Sequence, residues 1–282
     1  HPALVAASPQ APDTNFYFED FHHNGTLTQE YFYTYPRFGI QHAAPTADAW
    51  WAKAMVTAGL PDDYDFQLGL GPLSTTTERY YKDNFFWEDI VHHPDYDAFW
   101  KARAVGPDIA GHHMPNMLIV GGWFDAEDLY GPLEVFRSVN ATHSGNYTGL
   151  VEGPFRHGGW SRTGIVHTVH GDIYFGDSLE TKFQRDVEAK FFHHFLKDGG
   201  RGTVGLPNAL IFNTGEKVWK SYAEWPPKAA TTRELYLQPG GKLSFAAPTS
   251  GNAVDEYVSD PAHPVSSRCR IPTIQALTMY QY

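Results

Sequence analysis

Two short apolar runs, Met117-Leu118-Ile119-Val120 and Leu150-Val151, flank a helix-like stretch around Leu133–Val139. A strand with apolar residues at consecutive positions is covered on both faces, and strand, helix, strand in that order builds a parallel sheet. The start of the chain adds to it. Ala3-Leu4-Val5-Ala6-Ala7 is apolar and is stopped by Ser8-Pro9, so residues 1–13 read as a strand that enters a loop. Since a domain rarely begins inside its own sheet, and β-like sequence still runs at Tyr282, both ends look cut.

Residues 14–114 are rich in aromatics and in helix-like spacing (Trp50, Trp51, Ala54, Met55), are broken by Pro61, Gly69, Gly71 and Pro72, and show no alternating strands. They read as a helical cap insertion. Residues 115–203 resume the α/β order and close on a helix, with Asp177 expected as N-cap and Glu180 completing a capping box. Phe183, Val187, Phe191 and Phe195 follow at i, i+4, and Gly199-Gly200 is the stop. In residues 204–282, Leu210-Ile211-Phe212, Trp219, Trp225-Pro226-Pro227, Leu235-Tyr236-Leu237 and Gly240-Gly241 alternate short apolar runs with turns, as a β-sandwich does. The expected fold is α/β, a partial sheet with a helical cap, followed by an incomplete β domain.

The stretch GGWFDAEDLYG, Gly121–Gly131, places Asp125, Glu127 and Asp128 straight after the first apolar run. Like charges this close repel and are costly to bury without compensation, so the plain reading is a solvated turn. A second motif changes the weight. GPFRHGGW, Gly153–Trp160, puts His157 in a glycine-flanked loop after the next strand. In open α/β sheets functional groups gather at the carboxyl ends of strands, and an acid after one strand with a histidine after the next is the Asp…His order of a serine hydrolase triad. There the acid fixes the imidazole tautomer and the histidine moves the proton.

HPALVAASPQAP, DFHHNG at Asp20–Gly25, YDAFWKAR at Tyr96–Arg103, GGWFDAEDLYG, GPFRHGGW, AKFFHHFLKDG and the later WPP together resemble the α-amino-acid ester hydrolase and glutaryl-7-aminocephalosporanic acid acylase family, related to X-Pro dipeptidyl-peptidases and cocaine-esterase-like hydrolases. The resemblance implies an α/β-hydrolase domain with a helical cap and a C-terminal jelly roll. It makes Asp125 the triad acid and His157 the base. It also implies that Asp20, Glu127 and Asp128 receive a substrate's α-ammonium group, with Glu19 as rival to Asp20. The family's serine elbow is expected before the stretch that begins here at His1. No G-x-S-x-G stands in the 282 residues; Ser8 precedes Pro9, and Ser161 follows the histidine loop.

Composition narrows the partners. A formal net charge of −11 argues against nucleic acid or an anionic membrane surface, either of which needs a basic face. No apolar run approaches the roughly 18 residues of a membrane span. A small-molecule substrate with an α-amino group is the expected partner; a homo-oligomer is compatible with the sequence, and no cofactor is implied. The doublets His22-His23, His92-His93, His112-His113 and His193-His194 invite a metal hydrolase, yet adjacent helical residues point about 100° apart and do not chelate as i, i+4 pairs do. No metal is expected. The single cysteine, Cys269, cannot form an internal disulfide. Sequons stand at Asn24, Asn140 and Asn146, and the resemblance is compatible with a periplasmic or secreted location. Competing readings are an X-Pro dipeptidyl-peptidase, a cocaine-esterase-like carboxylesterase, or a noncatalytic binding fragment.

Overall fold

The computed structural model describes residues 3–28, 44–45, 69–82, 84–162, 169–170, 173–249, 251 and 254–263. The stretch around Trp50–Met55 and Cys269 lie outside them. A five-stranded sheet carries the rest: β1 (Ala6–Ala7), β4 (Asn116–Gly122), β5 (Thr148–Gly153), β8 (Ala209–Asn213) and β9 (Val218–Tyr222), in the order β1-β4-β5-β8-β9. The first four are mutually parallel and β9 returns antiparallel on β8. Between these lie the short antiparallel pairs β2 (His22–His23) with β3 (Thr26–Leu27) and β6 (Val169–His170) with β7 (Ile173–Tyr174).

The apolar run in β4 is continuous because both of its faces are covered. Leu118 and Val120 pack with Val151, Phe183, Val187 and Phe191 on one side, whereas Met117 and Ile119 pack with Leu150, Val135, Phe136 and Val139 on the other. Ile119 and Val120 are fully buried, which stabilises the fold by roughly 1.5–3 kcal/mol each. The first of these layers is the helix Leu179–Phe183, Gln184–Glu188 and Ala189–Leu196, whose middle segment is π-helical; the second is the helix Tyr130–Ala141, which joins β4 to β5.

Two expectations are corrected. The run Leu210-Ile211-Phe212 with Trp219 does not open a separate sandwich: β8 lies beside β5 in the central sheet and β9 closes that edge. Ala209 and Ile211 face one helical layer and Phe212 the other, and a strand covered on both sides belongs inside an α/β sheet. Beyond it the described strands are β10 (Tyr236–Gln238) and β11 (Lys242–Ser244), an antiparallel pair. Asp177 is not the N-cap of the last helix: Ser178 occupies that position in the left-handed region (φ 54), and its side chain makes no cap hydrogen bond. The C-terminal stop is as expected, with Gly199 and Gly200 at φ 67 and 69 and Gly200 N–H donating to His194 O.

The cap segment is largely helical where it is described, with the β2–β3 hairpin as an addition that the sequence reading did not contain. Asn84 caps the helix Phe85–His92 by accepting from Phe86 and Trp87 N–H, and Asp97 caps Ala98–Lys101 through Phe99 N–H. These helices bury Trp87, Ile90 and Trp100 against Tyr17 and Phe21, fixing the π-helical turn Tyr17–Phe21 that carries Glu19 and Asp20.

Candidate active site

The loop after β4 turns tightly, Asp125 N–H donating to Gly122 O at 3.0 Å. Asp125 Oδ1 in turn accepts from Glu127 N–H and Asp128 N–H, both at 3.0 Å, so its fully buried side chain is fixed by its own loop. The loop after β5 is tied to it: Trp123 N–H donates to Gly153 O and Phe124 N–H to Phe155 O. Those two strand ends bring His157 to Asp125, with Nδ1 3.1 Å from Asp125 Oδ2 and 3.3 Å from Oδ1. Asp128 Oδ2 and Glu127 Oε2 stand farther from the same nitrogen, at 3.4 and 3.5 Å.

An Nδ1–H directed at these acids leaves Nε2 as the proton acceptor. Burial works against the imidazolium, but the Asp125 hydrogen bond and the charges of Asp125, Glu127 and Asp128 together outweigh it and raise the His157 pKa. The ring is 30% exposed. Its loop is clasped from behind, Trp160 Nε1 donating to Gln10 Oε1 (2.9 Å), Gln10 Nε2 to Glu188 Oε1 (2.6 Å), and Gln184 Nε2 to Trp160 O (2.7 Å).

Further carboxylates reach this corner from the cap side. Gly131 makes the approach feasible: a Cβ there would overlap the Pro12 carbonyl and crowd Glu19. Glu19 Oε1 accepts from Gly131 N–H, while Oε2 accepts from Thr14 N–H (2.7 Å), Asn15 N–H (2.9 Å) and Thr14 Oγ1 (3.1 Å). Glu19 is thus spent on holding the cap loop to the helix Tyr130–Ala141. Asp20 is buried with no donor to Oδ1. Burial, then the charges of Asp13, Asp128 and Glu127, push its carboxyl up to about 10. Asp128 rises to about 8 through burial and its neighbours Glu127 and Asp125, and Glu19 to about 7, mainly through burial.

Asp125, Glu127, Asp128, His157 and Asp20 therefore stand in one corner, and Asp20 rather than Glu19 has an oxygen to spare. The sequence reading missed Asp13, whose two oxygens are buried without a donor. Its signal was the position, a few residues past β1 at the carboxyl edge of the sheet, hidden inside the turn-like Pro-Asp-Thr-Asn. Among the described residues, two groups bring possible cation ligands within 4.8 Å of one another: Asp125, Asp128 and His157, and Asp13, Asp20 and Asp128. None of the doublet histidines belongs to either group. His22 is buried against Tyr17 while His23 is exposed, and His193 is exposed while His194 is buried, so doublet members diverge.

The profile of the family "X-Pro dipeptidyl-peptidase (S15 family)" matches residues 1–159. A cocaine esterase from Rhodococcus sp. (strain MB1 Bresler) is 27% identical over 191 residues, 64% of this chain and 31% of that protein. A crystal structure of an aminopeptidase from the marine sediment archaeon Thaumarchaeota archaeon superposes with a TM-score of 0.83 at 34% identity, over 100% of this chain and 45% of that one. An α-amino acid ester hydrolase labelled with selenomethionine gives a TM-score of 0.84 at 29% identity, over 100% and 46%. The chain thus spans about a third of that esterase and under half of each solved chain.

Proposed function

Because the chain belongs to the X-Pro dipeptidyl-peptidase (S15) family, we propose that it is the acid- and histidine-bearing part of a serine hydrolase acting on esters or amides of α-amino acids, β-lactam antibiotic side chains included. Asp125 orients and stabilises the imidazolium of His157. His157 Nε2 takes the proton of a serine and returns it to the leaving group. Asp20, Glu127 and Asp128 receive the substrate's α-ammonium group, which supplies a donor to the buried Asp20 oxygen that has none. The observation carrying this reading is the 3.1 Å approach of His157 Nδ1 to Asp125 at two neighbouring strand ends, beside a carboxylate group with unused oxygens. The cocaine esterase relative supports a second reading, a carboxylesterase indifferent to the amine.

One comparison separates the two. In a chain that also carries the nucleophilic serine, kcat/KM is measured for a phenylglycine ester and for its des-amino phenylacetyl analogue. Leaving a buried charge partner unpaired costs about 2–5 kcal/mol, so the des-amino ester should lose roughly 30-fold to several thousand-fold. The preference should collapse in Glu127→Gln with Asp128→Asn. Equal treatment of both esters by the unaltered enzyme would discard the ammonium site in favour of the carboxylesterase.

A further inference from the structure

Asp13, Asp20 and Asp128 come from three separate turns, yet their carboxylate oxygens lie within 4.8 Å of one another. Asp20 is 5% exposed and contributes a carboxylate oxygen to this group, and its Oδ1 is buried without a donor; both oxygens of Asp13 are equally donorless. The titratable groups facing the trio are Glu19 from the cap turn, Glu127 and Asp125 from the acid loop, and His157 from the loop after β5. Among the described residues no lysine or arginine is ion-paired with Asp13, Asp20 or Asp128; the cationic side chain nearest Asp128 is His157, at 3.4 Å. Two contacting carboxylates without a donor between them cannot both stay ionised, whereas one proton held between Asp13 and Asp20 lets one donate to the other.

On the strength of the ammonium reading above, we propose that Asp13 is a further cation-binding residue, and that a primary ammonium entering the group displaces the proton that Asp13 and Asp20 share. Three oxygens up to 4.8 Å apart enclose a centre about 2.8 Å from each, the length of a charge-assisted N–H···O bond. A primary ammonium has three N–H groups for three acceptors. The displaced proton goes to solvent while the ammonium takes its place, so the buried group keeps its net charge and avoids the desolvation cost of an added ion. The upward displacement of the Asp20 and Asp128 carboxyls, to about 10 and about 8, means that the empty group still holds protons at neutral pH.

Calorimetry of the full chain with phenylglycinol, in buffers of different ionisation enthalpy, tests this. About one proton should be released per amine bound at pH 7, with affinity rising up to about tenfold per pH unit through the neutral range. In Asp13→Asn, or in Asp20→Asn should the first variant fail to show a native melting transition, the release should fall towards zero and affinity should flatten with pH. Binding without proton release, or undiminished release in a folded variant, would overturn the inference and leave the ammonium reading standing. Phenylglycinol binding no better than 2-phenylethanol would overturn both.

Discussion

Glu152, the last residue but one of β5, is fully buried, and neither of its oxygens has a hydrogen-bond partner. It fits only because Gly121, its register partner on β4, has no Cβ; an added one would run into both Glu152 oxygens. Burial, and secondarily the charge of Asp125, push this carboxyl from an ordinary 4.5 to about 8, so it is protonated at neutral pH. The sign of its stability effect follows from proton binding: between about pH 4.5 and 8 the native state keeps a proton that the unfolded chain has released, so stability falls as pH rises. Glu152→Gln removes that dependence. Its stability relative to the natural protein should grow across this window by on the order of a few kcal/mol, read from urea midpoints at pH 5 and pH 8. Parallel pH profiles for the two proteins would refute it. Nothing local in Leu150-Val151-Glu152-Gly153 marks this glutamate as buried, since a lone acid at a strand end reads as solvent-facing. Asp125 and His157 were legible for the opposite reason, as charged residues set in glycine-rich turns directly after apolar runs.

The last helix shows what periodicity carries and what it conceals. Phe183, Val187, Phe191 and Phe195 keep their i, i+4 spacing, so the helix and its buried face were readable. The same spacing runs straight through Gln184–Glu188, where the backbone widens to a π-helix, a feature often found at functional sites. That segment supplies both Gln184, which donates to Trp160 O, and Glu188, which accepts from Gln10. Both bonds tie down the loop of His157 through Trp160, Gln184 directly and Glu188 by way of Gln10. In a chain that also carries the nucleophilic serine, Gln184→Leu therefore should widen the His157 loop without unfolding the helix, lowering kcat more than it raises KM by roughly tenfold or more, as small misplacements of reacting groups do. A further readout belongs to positioning alone: the His157 pKa, followed by NMR, should fall towards the ordinary histidine value as contact with Asp125 loosens. An unchanged His157 titration in Gln184→Leu would relegate the clasp to a purely structural part. The β8 misreading has the same origin, since a short apolar strand does not announce its partner and Leu210-Ile211-Phe212 reads alike in a sandwich or in a parallel sheet.

At the scale of the molecule, the strand–helix–strand unit Asn116–Gly153 is legible because its period changes from strand to helix and back, whereas nothing in the sequence near residue 204 shows that the sheet runs on to Tyr222. What the assembled sheet places together at its strand ends is Asp125 and His157, and no G-x-S-x-G elbow stands in the 282 residues. The serines nearest in sequence to the relevant loops are engaged elsewhere. Ser8 Oγ donates to Leu118 O at 2.7 Å, along the body of β4, and Ser161 Oγ to Gly158 O at 2.9 Å. Each of these hydroxyls is thus spent on a backbone carbonyl. Loss of the triad serine alone costs on the order of 10⁶ in turnover in a well-studied protease. The 282-residue chain should accordingly hydrolyse a p-nitrophenyl ester no faster than its Asp125→Asn variant, and should take up no stoichiometric label from a fluorophosphonate. Both assays are needed, because a histidine with a raised pKa can still cleave an activated ester slowly without a nucleophilic serine. A label located by mass spectrometry on a single serine, and lost in His157→Ala, would show that this sheet holds a nucleophile outside the elbow motif.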